Sequence, residues 1–290
     1  MPNLNELKNR VAGVRGTRQV THAMYLISAS KSKRAKKAQE AVKPFFDEVE
    51  KALAEILSDS TSSVADSAFT RRPPDAEREL SFVVGGDKGM AGGYNHNVIE
   101  FMKEKLDKGN TDVLMAGFIG RSRALKEGFG VDAGFMHPVM NPSLNRARDI
   151  ADVIIEKFKS GAYRKVSLIY TQMESAIKQA PAIFPLLPLT PEHFKGVPGE
   201  EAGRGRYHKF HFEPNEAEVF DSLTPHYLKG VIYAALVEAN TCEMQSRMLA
   251  MENATKSADD IISELSLRFN RARQSIITQD ITEIVGGMPD

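Results

Sequence analysis

From Glu238 to Val285 the chain contains neither a proline nor a glycine. Apolar side chains recur there in steps of three and four, at Ile261, Leu265, Phe269, Ala272 and Ile276. Such a stretch reads as one helix, beginning near Asn215 or Pro225 and ending near Val285. At about 1.5 Å per residue it would span ~90 Å, several times the width of a small domain. Helical propensity alone does not hold a helix of that length in water, so a partner must cover much of it.

The opposite end of the chain supplies the candidate. Residues 3–57 read as a second long helix, about ~80 Å in extent. Leu4, Leu7, Val11 and Val14 mark a coiled-coil seam, and Ala35, Ala38, Val42, Phe45, Val49, Ala52 and Ile56 continue it. Between these runs the large apolar residues thin out, with small ones at Ser28, Ala29 and Ser30, so two backbones could approach closely. Pro44 is expected to kink or interrupt this helix, because it lacks a donor and crowds the preceding turn. Similar lengths at the two termini, with a compact domain between them, predict an antiparallel pair. Met244, Met248, Met251 and Leu249 give the second helix an adaptable apolar cluster, read as core or as a surface moving against a partner.

Between the helices the pattern changes. Residues 58–79 are polar and carry Pro73-Pro74, which predicts a linker. Strands are then expected at Leu80–Val84, Asp112–Ala116 and Lys165–Thr171, with an edge strand at Val131–Phe135. Helices are expected at Asn97–Lys108, Arg121–Glu127 and Leu144–Lys159. This alternation predicts a small, Rossmann-like parallel α/β domain over residues 80–214. Its last part, Ala180–Pro214, reads as an irregular loop with a basic, histidine-bearing patch at Arg204–His211 and a short strand at Lys209–Phe212. The expected fold is therefore α/β: coiled-coil helices at 1–57 and 215–290, a linker at 58–79, and the α/β domain.

Charge bears on partners. The chain has 38 Lys plus Arg and 38 Asp plus Glu, a balance unlike that of a dedicated nucleic-acid binder. Residues 1–43, however, hold ten basic side chains against Glu6 and Glu40. That cluster is read as a solvated face, a surface for an acidic protein, or an arm for nucleic acid. The single Cys242 excludes an internal disulfide and a cysteine zinc site, and suits a reducing compartment. No run reaches the roughly 18–20 apolar residues of a membrane span, and the start lacks a signal core.

One motif could carry chemistry. Gly85 to Asn95, GGDKGMAGGYN, follows a strand and precedes a helix, where a dinucleotide fold seats phosphates. Its spacing is neither G-x-G-x-x-G nor a P-loop, so the residues leave open a nucleotide site and a purely structural turn. The histidines are scattered, and His208 with His211 has no carboxylate at ligand spacing. No nucleophile elbow or catalytic constellation is present.

Particular residues bring a resemblance. Ser246-Arg247-Met248, Ala250-Met251, Ala254-Thr255, Asn270-Arg271-Ala272-Arg273-Gln274, Ile277-Thr278 and Thr282-Glu283-Ile284-Val285 resemble the γ-subunit family of F-type ATP synthases. Asn9-Arg10-Val11, Thr17, Thr21, Ala23-Met24, Ser28-Ala29 and Lys31 are similar to that family's other signature. Gly86-Asp87-Lys88-Gly89, Gly92-Gly93, Asn95 and Phe212-Glu213-Pro214 match its middle elements. The resemblance implies a non-catalytic rotor shaft without cofactor or metal, present once per complex. It implies as partners the α and β subunits of the catalytic head, the ε subunit and the membrane c-ring, and no nucleic acid. It also implies a peripheral location at the cytoplasmic face of a bacterial inner membrane, reached only through partners. Arg273, Gln274 and Thr278 match positions that touch the head. Met24, Arg247, Met251 and His22 match the neck, and Phe210, Phe212 and Glu213 the foot that meets ε and the c-ring. Three places depart: His22 stands where the family usually has Lys, Lys88-Gly89-Met90-Ala91 where Arg-Gly-Leu-Cys is common, and the end, Gly286-Gly287-Met288-Pro289-Asp290, is unusual. The competing expectations are a nucleotide-binding α/β enzyme and a coiled-coil scaffold.

Overall fold

A computed structural model describes residues 4–59, 64–73, 76–175, 178–194 and 212–286. Two helices dominate it: α1, Leu4–Asp59, and α5, Glu216–Gly286. Both run without a break through a proline, Pro44 in α1 and Pro225 in α5. The interruption expected at Pro44 is therefore absent. A proline inside a helix forfeits one backbone bond, and Val42, Phe46 and Val49 offset that loss by packing into the core of their unit.

The chain divides into two compact units, one of Met1–Ser30 with Gln245–Asp290 and one of Lys31–Met244. In the first, the covered positions of α1 include Leu4, Leu7, Val11, Val14, Arg18, Thr21, Tyr25 and Ser28, which alternate by three and four, with Met24 and Ala29 half-buried beside them. On α5 they include Met251, Thr255, Ala258, Ile262, Leu265, Phe269 and Ala272, with Glu252, Ala254 and Ser266 half-buried alongside. Both sets repeat every 3.5 residues, the period of a left-handed coiled coil. Thr21 meets Thr255 at 2.7 Å, and Arg18 meets Asp259 at 2.5 Å. Numbers that rise on α1 fall on α5, so the pair is antiparallel. The expected seam needs one correction: Ile261 is exposed, and Ile262 takes the covered position.

The second unit holds the α/β domain. Its elements are β1 (Arg78–Val84), α2 (Tyr94–Lys105), β2 (Thr111–Ala116), α3 (Phe118–Lys126), β3 (Gly130–Val131), α4 (Leu144–Lys159), β4 (Tyr163–Met173) and β5 (Gln179–Leu187). The strands form one sheet in the order β3-β2-β1-β4-β5. The first four are parallel, and β5 pairs antiparallel with β4. The sheet is thus mixed, and part of the expected loop after Ala180 is an edge strand. Pro181 and Pro185 suggested a loop, but proline is tolerated at an edge where no neighbour needs its missing donor. The expected strand Val131–Phe135 shrinks to Gly130–Val131. The expected strand at Lys209–Phe212 lies outside the described residues, apart from Phe212.

Alternation along the strands sends side chains to two faces. Leu80, Phe82, Val84, Leu114, Val166 and Leu168 join one core with Ile150, Ile154 and Phe158 of α4 and with Leu53, Ile56, Phe220, Leu228 and Ile232 from α1 and α5. Val83, Val113, Met115 and Ile169 face the other way, onto Val98, Ile99 and Met102 of α2. Within this unit α1 and α5 touch closely where Phe46 lies against Gly230: a Cβ on Gly230 would sit 2.3 Å from the ring. The seam expected through Phe45 runs through Phe46 instead, and Phe45 is exposed.

Candidate functional site

Two places carry the residues of interest: the α1–α5 pair of the first unit, and the glycine-rich turn of the second. In the pair, side-chain coverage on α5 stops at Ala272. From Arg273 to Glu283 every position is exposed, including Arg273, Gln274 and Thr278. Ile276, Ile277 and Ile281 are exposed among them, the last at 56%. Thr282 donates to the Thr278 carbonyl at 2.7 Å, an intrahelical bond that leaves the Thr278 side chain exposed.

The expected neck residues share this unit. Starting from Thr21 opposite Thr255, one turn along α1 and one turn back along α5 brings Met24 level with Met251. Met251 is buried, Met24 half-buried and Arg247 buried at 5% exposure. His22 points away from the seam, exposed, its ring 6.2 Å from that of Tyr25 and nearly parallel to it. Sequence reasoning singled out Thr21 and Thr255 without their mutual contact, and it missed the Arg18–Asp259 pair. The seven-residue spacing from Leu7 and Val14 to Thr21 was the available signal. Among the foot residues, Phe212 is half-buried and packs on the larger core, while Glu213 is exposed. Phe210, His208 and His211 lie outside the described residues.

The glycine-rich turn lies at the C-terminal ends of β1 and β4, where chain order in the sheet reverses. In a dinucleotide fold that crevice takes the ligand. Here the chain's own groups occupy the donors. One Asp87 carboxylate oxygen accepts from the backbone N–H groups of Val139 at 2.8 Å and Met140 at 2.6 Å. The other accepts from Phe118 at 3.3 Å, at the N-terminus of α3, so a fixed anion already satisfies that helix end. Asn95 accepts from Gly86 N–H at 2.8 Å. Gly117 follows β2 with φ 93°, and a Cβ there would sit 2.8 Å from the Gly85 carbonyl carbon. The two turns therefore lie backbone against backbone.

Helix α5 packs on one side of the turn, while Lys88, Gly89, Met90, Gly92 and Gly93 stay exposed. The Tyr94 hydroxyl donates to the Ala239 carbonyl at 3.2 Å, and Met173 N–H donates to the Glu238 carboxylate at 2.9 Å. Glu243 is fully buried, near enough to Gly86 that a Cβ there would lie 3.2 Å from its carboxyl carbon. Burial first, then the Glu243 charge, pushes the Tyr94 hydroxyl well above the ordinary phenol range. Burial first, and Glu238 second, pushes the Cys242 thiol up to about 12, so it is an inert packing residue. The chain's own carboxylates, Asp87, Glu238 and Glu243, thus lie beside the turn where a dinucleotide fold seats phosphates. Among the described residues no cluster of His, Cys, Asp and Glu is placed to hold a metal, and no helix is long and apolar enough to cross a membrane.

Comparison with known proteins gives a consistent picture. The family model described as ATP synthase matches residues 3–289. The ATP synthase gamma chain of Acetivibrio thermocellus is 43% identical, covering 99% of this chain and 98% of its own length. That of Ruminiclostridium cellulolyticum is 38% identical, with 98% and 97% covered. Among solved structures, a chain of the Euglena gracilis mitochondrial ATP synthase OSCP/F1/c-ring assembly superposes with a TM-score of 0.65 at 16% identity, covering 98% of this chain and 92% of that one. A chain of the Tetrahymena thermophila mitochondrial central stalk and c-ring gives 0.56 at 21% identity, covering 81% and 99%. At those identities the likeness is one of fold.

Proposed function

Since the chain belongs to the ATP synthase family, among its γ chains, we propose that it works as the central-stalk rotor of an F-type complex. The α1–α5 coil stands inside a head of α and β subunits, and the α/β domain rests on the membrane c-ring beside ε. Rotation driven by ion flow turns the coil, and its uneven surface favours a different conformation at each β site in turn. Shifting a site from 1:99 to 99:1 takes about 5.5 kcal/mol of differential contact energy. The chain itself is non-catalytic and peripheral, held at the cytoplasmic face of a bacterial membrane by its partners.

The observation that carries this reading is the bare end of α5. A short lone helix is marginal in water, and one exposing Ile276, Ile277 and Ile281 needs a sleeve. Arg273, Gln274 and Thr278 face that sleeve. Met24, Arg247, Met251 and His22 form the neck, and Phe212 and Glu213, with Phe210, the contact with ε and the ring. By this reading the shaft comprises residues 1–57 and 215–290, and the foot 80–214, joined through the linker at 58–79.

Reconstitution tests the proposal. The purified chain should hydrolyse no ATP, and adding α and β should give hydrolysis with rotation of a probe on the α/β domain. Joint Arg273→Ala and Gln274→Ala substitution should lower that hydrolysis about tenfold, the loss of about 1.4 kcal/mol of contact. ATPase activity from the chain alone would overturn it.

A further inference from the structure

Glu238 and Ala239 are neighbours on α5, yet they meet different parts of the α/β domain. Glu238 accepts from Met173 N–H at 2.9 Å, at the end of β4. Ala239 accepts from Tyr94 at 3.2 Å, at the start of α2. The first bond ends on a side chain that projects from the helix and the second on a backbone carbonyl that points along its axis, so the two hold α5 in different directions. The Glu238 carboxylate also helps hold the Tyr170 hydroxyl above its ordinary range, behind the larger effect of burial, and Gln172 donates to that hydroxyl at 2.7 Å. Beyond these bonds, apolar side chains such as Phe220, Leu228, Ile232 and Leu236 join α5 to the core shared with the sheet. Apolar packing resists separation and, being non-directional, fixes small rotations of a helix about its axis less sharply than hydrogen bonds do. Directed bonds to a side chain and to the backbone of α5 oppose such rotation.

We infer that Glu238 and Tyr94 form a torsional clamp, setting the stiffness with which rotation of the α/β domain reaches α5. This rests on the rotor reading, and it makes both side chains positioning residues. The glycine-rich turn takes part through its last element. Asn95 ties Gly86 to the first turn of α2, so Tyr94 is held by the same turn that resembles a phosphate loop. Torque entering at the sheet then passes to α5 through bonds that cannot slide.

The test uses the assembled complex with the head immobilised and a probe on the α/β domain, at ATP low enough for long pauses. With Glu238→Ala and Tyr94→Phe combined, the angular variance within a pause should rise about twofold or more, because each lost bond is of ordinary strength. Hydrolysis by the unloaded head should stay near the parental rate, since no residue inside the head changes. Glu238→Gln keeps an acceptor oxygen and should restore parental stiffness. Unchanged variance would overturn the clamp, as would hydrolysis falling in step with the variance, which would indicate a folding defect. If the parental chain fails to rotate with α and β, the rotor reading falls and the clamp with it. If the parent rotates and the variants are no softer, only the clamp falls.

Discussion

Glu79 shows how one side chain can fix strand order. It is largely buried at the start of β1, and burial alone would raise its pKa. Lys165, at 2.9 Å, and Arg164 outweigh that and hold it below the ordinary glutamate range. Both cations lie on β4, so the carboxylate ties the two central strands. The stabilisation is present above the unfolded-state pKa and is lost as pH falls through the depressed folded value. Because the cations are nearly half exposed, solvent screening limits it to about 1 kcal/mol. Glu79→Gln should therefore lower the melting temperature at pH 7, and the difference from the parent should vanish at an acidic pH below the depressed folded value. Thermal unfolding at the two pH values checks this.

The same scale includes Thr21 and Thr255. The two hydroxyls meet at 2.7 Å, so one donates to the other, and the acceptor keeps its own intrahelical bond, to the Arg18 carbonyl for Thr21 or the Met251 carbonyl for Thr255. A polar contact at a seam position favours one register over its neighbours. Valine at both positions should show a coupling of about 0.5–1 kcal/mol in a double-mutant cycle of thermal unfolding, and a value near zero would remove the register role.

Among the elements, the close passage of α1 over α5 at Gly230 sets the sharpest expectation. Gly230→Val drives its side chain into Phe46 and should cost about 3 kcal/mol. In a Phe46→Ala background, Gly230→Ala should be neutral or stabilising by up to about 1 kcal/mol, the helix-propensity gain. Chemical denaturation of the four proteins separates these outcomes. The elements also show what a sequence discloses. Helix α4 was legible to the residue, because Ser143 caps it and accepts from Arg146 N–H, and a clean apolar stripe follows. Strand β5 was not, because its prolines look like loop residues until an edge is known. Phe45 against Phe46, and Ile261 against Ile262, are adjacent apolar pairs that fit a three-four alternation equally well. Only the partner helix decides between them. The Glu238 and Tyr94 bonds were illegible altogether, since they join residues far apart in sequence and one acceptor is a backbone carbonyl.

For the whole molecule, the family sets the role and this chain's residues set its details. The charge balance is neutral overall, yet Lys8, Arg10, Arg15, Lys33, Arg34 and Lys37 are all exposed along α1. An acidic protein surface suits that face, and raising salt should slow assembly with α and β more than it weakens the finished complex. The bare end of α5 gives a further expectation. In the free chain, trypsin should cut after Arg271 and Arg273 before it attacks the α/β domain. In the assembled head the same bonds should be protected by an order of magnitude or more in rate, because cleavage tracks local opening. Mass spectrometry of timed digests reads both.

That exposed end also bears on how cells make the protein. A solitary copy presents isoleucines that invite self-association, while under the proposed rotor role each complex would admit a single copy. Production in excess of its companions would leave an adhesive, protease-labile surplus. Under that role, three side chains would make matched synthesis and prompt threading into the nascent head advantageous.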